Sequence, residues 1–206
     1  MAEKKRKGVI RENLEIIIIA VILAMFIRTF VVQAFKIPSG SMKDTLLVGD
    51  HLLVNKFIYG VKIPFTDGKT LIPVSEPERG DIVVFKYPQN PEKDYIKRVI
   101  GIEGDVVKIV DKKLYVNGEP VNHDYARYTD DTVYPAWRNP RDNLGPVTVP
   151  KDSLFVMGDN RDNSHDSRFW GFVNLNDVKG EAFIIYWSWD RDSFDVRWSR
   201  IGDLLI

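Results

Sequence analysis

The chain has 206 residues, 29 basic and 29 acidic side chains, and no cysteine. Balanced charge removes the basic excess of a nucleic-acid binder, so no nucleic-acid partner is expected. Without cysteine there are no disulfides, thiol nucleophiles or cysteine-ligated metals, and His51, His123 and His165 lie too far apart for metal-ligand spacing, so no metal or other cofactor is expected.

Lys4, Lys5, Arg6, Lys7 and Arg11 face only Glu3 in the first eleven residues. Beside an apolar segment, such a run reads as a cytoplasmic tail over 1–12. Ile16 to Ile27 is unbroken apolar sequence. Twelve helical residues reach about 18 Å, short of a hydrocarbon core of about 30 Å. Extending the segment over 13–34 gives a transmembrane anchor, at the cost of including Glu15, Arg28 and Gln33. Arg28 can snorkel to the headgroups. Two rival readings are a buried core helix and a cleaved secretory signal ending at Val32-Gln33-Ala34. Cleavage after Ala34 would leave Ser41 seven residues from a frayed terminus. A retained anchor with its N-terminus inside is therefore preferred.

Ile37-Pro38-Ser39-Gly40-Ser41-Met42 follows at once. Asp50 to Phe57 then begins a β-rich pattern. After the Arg79-Gly80-Asp81 turn, Ile82-Val83-Val84-Phe85 and Tyr95 to Ile100 read as strands. Val106 to Val110 and Lys113 to Val116 form a hairpin, with Asn117-Gly118 a turn after it. Residues 119–150 are polar, rich in proline and aromatics, and irregular. Strands resume at Leu154 to Met157 and Ala182 to Trp187, and the tail ends on Leu204-Leu205-Ile206. Short strands with Gly and Pro turns predict a mostly β fold: one transmembrane helix, an antiparallel β-sheet domain over 35–105 and 151–206, and a smaller irregular β insert over 106–150.

Three stretches are denser in Gly, Ser, Asp and basic residues than packing requires: 38–42, 95–105 and 158–168. Ser164-His165-Asp166 cannot be a triad, because adjacent side chains diverge. A calcium loop starting at Asp159 fails too, with Arg161 and Trp170 where oxygen ligands are needed. The stretch is equally readable as a self-bonded polar loop. Lys97 alternates with Arg98 across its strand. Facing solvent, it is an ordinary lysine. Facing the core, it must find a partner or lose its charge, and a neutral buried lysine can act as a base. Lowering its pKa by three units takes roughly 4 kcal/mol, within reach of burial. Serine with neutral lysine is a working alternative to serine with histidine.

In order and spacing, PSGSM, RGDIVVF, YIKRVIG, GDNRDNSHDSR, AFIIYW and SRIG closely resemble bacterial type I signal peptidases, Ser/Lys proteases that remove signal peptides from secreted proteins. The resemblance covers nearly the whole chain. It implies Ser41 as nucleophile, Lys97 as general base, and Ser39 Oγ with the Ser41 N–H as oxyanion donors. It implies that Ser164 orients the lysine amine and that Asp166 and Arg168 hold the polar loop. Phe35, Ile37, Tyr95 and Ile96 match positions lining small S1 and S3 pockets, beside which an extended peptide adds as a strand and is cut after Ala-x-Ala. Plain core packing is the other reading of these four. Asp44 and Glu103 stand where the family usually has proline. The expected partners are signal-peptide-bearing precursors and the lipid bilayer, with no obligate protein partner. The catalytic domain is expected outside the bacterial inner membrane, with Trp187, Trp189, Phe194 and Trp198 available to rest at the interface. A peptidase specialised for few substrates and an inactive peptide-binding module are the alternatives. Val32-Gln33-Ala34 is itself a site such an enzyme could cut.

Overall fold

The computed structural model describes residues 9–62, 70–72 and 74–205. The basic run Lys4 to Lys7 and the terminal Ile206 lie outside them. Helix α1 spans Val9–Phe26, and a π-helical turn over Ile27–Val31 leads into strand β1, Val32–Lys36. Further strands are β2 (Asp50–Asn55), β3 (Val61–Lys62), β4 (Thr70–Ile72), β5 (Ile82–Tyr87), β6 (Asn90–Gly101), β7 (Val106–Val110) and β8 (Lys113–Val116). They are followed by β9 (Glu119–Val121), β10 (Leu144–Thr148), β11 (Ser153–Met157), the one-turn helix α2 (Ser167–Trp170), β12 (Val173–Asn174), β13 (Val178–Asp190) and β14 (Asp195–Val196). The main sheet runs β1-β2-β13-β5-β6-β11-β12 with antiparallel pairing throughout. A separate four-stranded sheet has the order β10-β7-β8-β9.

The apolar run of β5 is explained by burial on both faces. Ile82 and Val84 join Leu52, Val54, Ala182 and Ile185 on one side. Val83 and Phe85 join Val99, Leu154 and Val156 on the other. A third cluster, with Ile100, Val107, Leu114 and Phe155, seats the small sheet on the main one.

Four points differ from the sequence reading. Among the described residues no helix is long and apolar enough to cross a membrane. Val32 to Ala34, read as the end of an anchor helix, are strand: Gln33 pairs with Val54 and Ala34 with Leu53. Their ladder bonds to β2 outweigh the helical run that precedes them. The polar segment before Tyr95, Pro91 included, is also strand, because the β5–β6 hairpin carries it out from the sheet. The stretch read as irregular contains β9 and β10.

Candidate active site

The turn carrying Ser41 is pinned by apolar side chains. Ile37, Met42 and Leu46 are fully buried in one cluster, while Ser39 is exposed and Ser41 half-buried. Ile37 N donates to Asp50 O at 2.9 Å, Gly49 N to Ile37 O at 3.0 Å and Leu46 N to Met42 O at 2.7 Å. Sinking Met42 into the core orients its neighbour Ser41 outward, toward β6.

There Lys97 Nζ lies 2.7 Å from Ser41 Oγ and donates to Ile96 O at 2.9 Å. Lys97 is 4% exposed. Burial lowers its pKa from 10.5 to about 8, against the pull of the Asp166 and Asp159 charges, while Arg168 lowers it further. The sequence left open which of Lys97 and Arg98 faces inward. Both do: Arg98, 2% exposed, meets Asp159 at 2.8 Å and donates to Gly80 O at 2.7 Å. Arg98 thus has a full counter-charge, while among the described residues the lysine amine bonds a hydroxyl and a carbonyl, with the Tyr95 ring 5.5 Å away. That difference leaves the lysine amine easily neutralised.

Ser41 and Lys97 open into a cleft of about 470 Å³, lined also by Ser39, Tyr95, Ile96 and Asn160. Phe35 and Ile37 do not line it. They pack with Ile96 in the core beneath, so for these two the packing reading fits the geometry. Among the described residues, neither the Ser41 N–H nor Ser39 Oγ donates to a protein acceptor, so both are free for a developing oxyanion. Two strand edges are open here. β11 leaves β6 after pairing Met157 with Arg98, and β1 pairs on one side only.

Asp166 and Arg168 form a buried pair at 2.8 Å with side chains 0% and 2% exposed. Arg168 also donates to Arg141 O at 2.9 Å and Arg161 O at 2.7 Å, and Asp166 accepts from Gly158 N at 3.1 Å. The pair therefore holds the loop 158–168 together. Ser164 Oγ is buried and makes no hydrogen bond of normal geometry, to Lys97 or to any other described group. Its hydroxyl lies near enough to Asp166 to help keep that carboxylate charged. Its seat is set by Gly158, where a Cβ would collide with Ser164 Oγ and the Ser41 carbonyl.

The sequence reading missed Asn160. Its N–H donates to Ser41 O at 3.1 Å and its Nδ2 to Gly40 O at 3.0 Å. Next to it, Asp159 accepts from Thr45 Oγ1 at 2.6 Å. The polar loop is thus a clamp on the turn that carries Ser41. The signal was present in Gly158-Asp159-Asn160, but only folding shows what those groups bond.

The two departures from proline also acquire reasons. Asp44 has φ +82°, a left-handed backbone closed to proline and open to aspartate. The Glu103 carboxylate accepts from Asp152 N at 2.9 Å, a bond no proline could make. Val32-Gln33-Ala34 is zipped into β1, so self-cleavage there requires β1 to leave the sheet.

The family described as signal peptidase, peptidase S26, matches residues 10–187. Signal peptidase I of Pseudomonas fluorescens is 40% identical over 212 residues, covering 87% of this chain and 74% of its own. Signal peptidase I of Pseudomonas aeruginosa is 40% identical over 211 residues with the same coverage. That of Aquifex aeolicus is 35% identical over 229 residues, covering 86% and 84%. A serine against a buried lysine, in a chain this similar to these enzymes over most of its length, leads to one assignment: the chain belongs to the peptidase S26 family of signal peptidases, which are serine endopeptidases.

Proposed function

We propose that this chain removes N-terminal signal peptides from exported precursors, cutting after small residues through a Ser41/Lys97 dyad. The observation that carries this reading is the 2.7 Å approach of Ser41 Oγ to a lysine buried and short of counter-charge. The precursor lies extended in the cleft, bonding its backbone to the open edge of β6 and placing one side chain against Ile96. Ser41 Oγ attacks the scissile carbonyl carbon and gives its proton to neutral Lys97 Nζ. Negative charge on the carbonyl oxygen is met by the Ser41 N–H and Ser39 Oγ. The intermediate collapses, the peptide C–N bond breaks, and Lys97 returns the proton to the departing amine. An acyl ester of the signal peptide remains on Ser41. Water then loses a proton to Lys97 and attacks the ester. Collapse of this second intermediate frees the signal-peptide carboxylate, and Ser41 recovers its proton.

Tyr95 and Ile96 narrow the cleft and favour alanine-sized residues before the cut. The Asp166–Arg168 pair keeps the polar loop against the turn, with the buried Ser164 hydroxyl beside it. We further propose that α1 anchors the chain in the bilayer. Its side chains from Ile16 to Ile19 are about half or more exposed, as suits a helix apolar on every side over that stretch. Its 18 residues reach about 27 Å but include Arg11, Glu12 and Glu15 at the start, so the anchor reading requires local thinning of the bilayer with those side chains at the headgroups. Phe194 and Trp198, 80% and 70% exposed, are placed to rest in the interface, with Trp187 edge-on against Trp198 at 6.2 Å. Confining enzyme and precursor to one plane raises their effective concentration.

The test uses the full chain in lipid vesicles with a precursor carrying an Ala-x-Ala site. The expected result is sedimentation with the vesicles, one cut after the second alanine, and loss of at least about 10³-fold in rate for Ser41→Ala. Full activity in Ser41→Ala would sink the reading.

A further inference from the structure

One segment of the insert reaches the nucleophile turn directly. Arg127 N donates to Asp159 O at 2.7 Å, and Arg161 N donates to Arg127 O at 2.8 Å. These bonds make Arg127 a parallel bridge partner of Asn160, the residue that holds Gly40 O and Ser41 O. The Arg127 side chain turns the other way, and its Nη1 is bonded to the Asp44 carboxylate. Asp44 is three residues beyond Ser41 and sits in the left-handed backbone region, where its path needs a local restraint.

We propose that Arg127 is a positioning residue for Ser41, joining the polar loop through its main chain to the nucleophile turn through Asp44. The proposal rests on the Ser41/Lys97 reading. The nucleophile turn is then held at two sides. Asn160 and the Thr45–Asp159 bond fix its inner side. The Arg127–Asp44 pair fixes its outer side, beside an open hollow of about 530 Å³ that both residues line. The pair is 34% and 57% exposed, so its effect is modest and is screened by salt. Small displacements of a nucleophile cost rate far more than binding, so the effect falls on the chemical step. The fold does not depend on the side chain, because the main-chain bonds of Arg127 survive its removal.

The test is the rate at which Ser41 is acylated by an ester probe, read by mass spectrometry on the full chain, with precursor KM measured in parallel. Asp44→Asn is the partner variant, since asparagine tolerates the left-handed backbone and removes only the charge. Arg127→Ala and Asp44→Asn are each expected to slow acylation about three- to fivefold with KM unchanged. The double variant is expected to be no slower than the slower single, and Arg127→Lys to recover most of the rate. High salt is expected to bring wild type toward the variants. Wild-type acylation rates in both single variants, multiplicative losses in the double, or a change confined to KM would each overturn the proposal. Absence of acylation in wild type would instead overturn the Ser41/Lys97 reading beneath it, which separates the two failures.

Discussion

Lys97→Met is expected to abolish turnover and, at neutral pH, to make the protein more stable. The activity loss follows from removing the group proposed to take the serine proton, worth at least about 10³-fold. The stability gain follows from linkage. The lysine pKa is lowered by burial from 10.5 to about 8. Between those values the unfolded chain binds more protons than the folded one, so stability rises with pH across that window. Below about pH 8 the folded state bears the full penalty of a buried ammonium, about 3 kcal/mol for a shift of this size. Methionine fills similar space without charge. After subtracting the lost bonds to Ser41 and Ile96 O, a net gain of about 1–3 kcal/mol is expected at pH 7. The gain should shrink as pH rises from 8 toward 10.5, where wild type has shed its proton. Chemical denaturation of both proteins at pH 7 and 10 checks this. A variant less stable than wild type at pH 7 would show that the ammonium is well accommodated in the folded site.

Asp166→Asn is expected to be among the most damaging single changes outside the dyad. It leaves the guanidinium of Arg168 buried, at 2% side-chain exposure, without its counter-charge. Breaking such a pair costs about 3–5 kcal/mol, a large share of the 5–15 kcal/mol that holds a domain folded. The same change acts on the base. The Asp166 charge raises the Lys97 pKa, so its removal should lower that pKa further. Any protein that remains folded should therefore reach its maximal rate at lower pH than wild type, while its ceiling drops as the polar loop loosens. In wild type the Asp166 pKa is lowered, chiefly by Arg168 against the desolvation that raises it. Its contribution is thus present above the ordinary carboxylate range and lost as pH falls through the depressed value. Thermal midpoints of both proteins at pH 5 and 7, together with the pH optimum, measure these effects. An unchanged midpoint would mean that the loop is held by its backbone bonds alone.

Much of the site was legible before folding, because its chemistry is written in short runs of unusual composition. Ser41 and Lys97 stand out as a serine beside glycine and a lysine inside an apolar strand. The strands begun at 82–85 and placed at 106–110 and 113–116 were legible from apolar runs and turn residues alone. What stayed hidden depends on tertiary pairing. Val32 to Ala34 carry no strand signal beyond what β2 supplies. Period two could not say whether Lys97 or Arg98 is inside, because β6 is covered on both faces. Asn160 is one polar residue among many until its two bonds to the nucleophile turn are seen. In the sequence Asp44 is simply a residue where the family usually has proline, and only its left-handed backbone reveals that the turn follows a path proline cannot.

The claim on which the rest depends is that Lys97 works as a neutral base. Its most direct test is the pH dependence of Ser41 acylation in wild type. With a lysine pKa near 8, about a tenth of the molecules are active at pH 7, against fewer than one in a thousand for an unperturbed lysine. The rate should rise about tenfold per pH unit below 8 and level off above it. A rate flat from pH 6 to 9, or one still climbing tenfold per unit beyond pH 10, would contradict a buried lysine as the base.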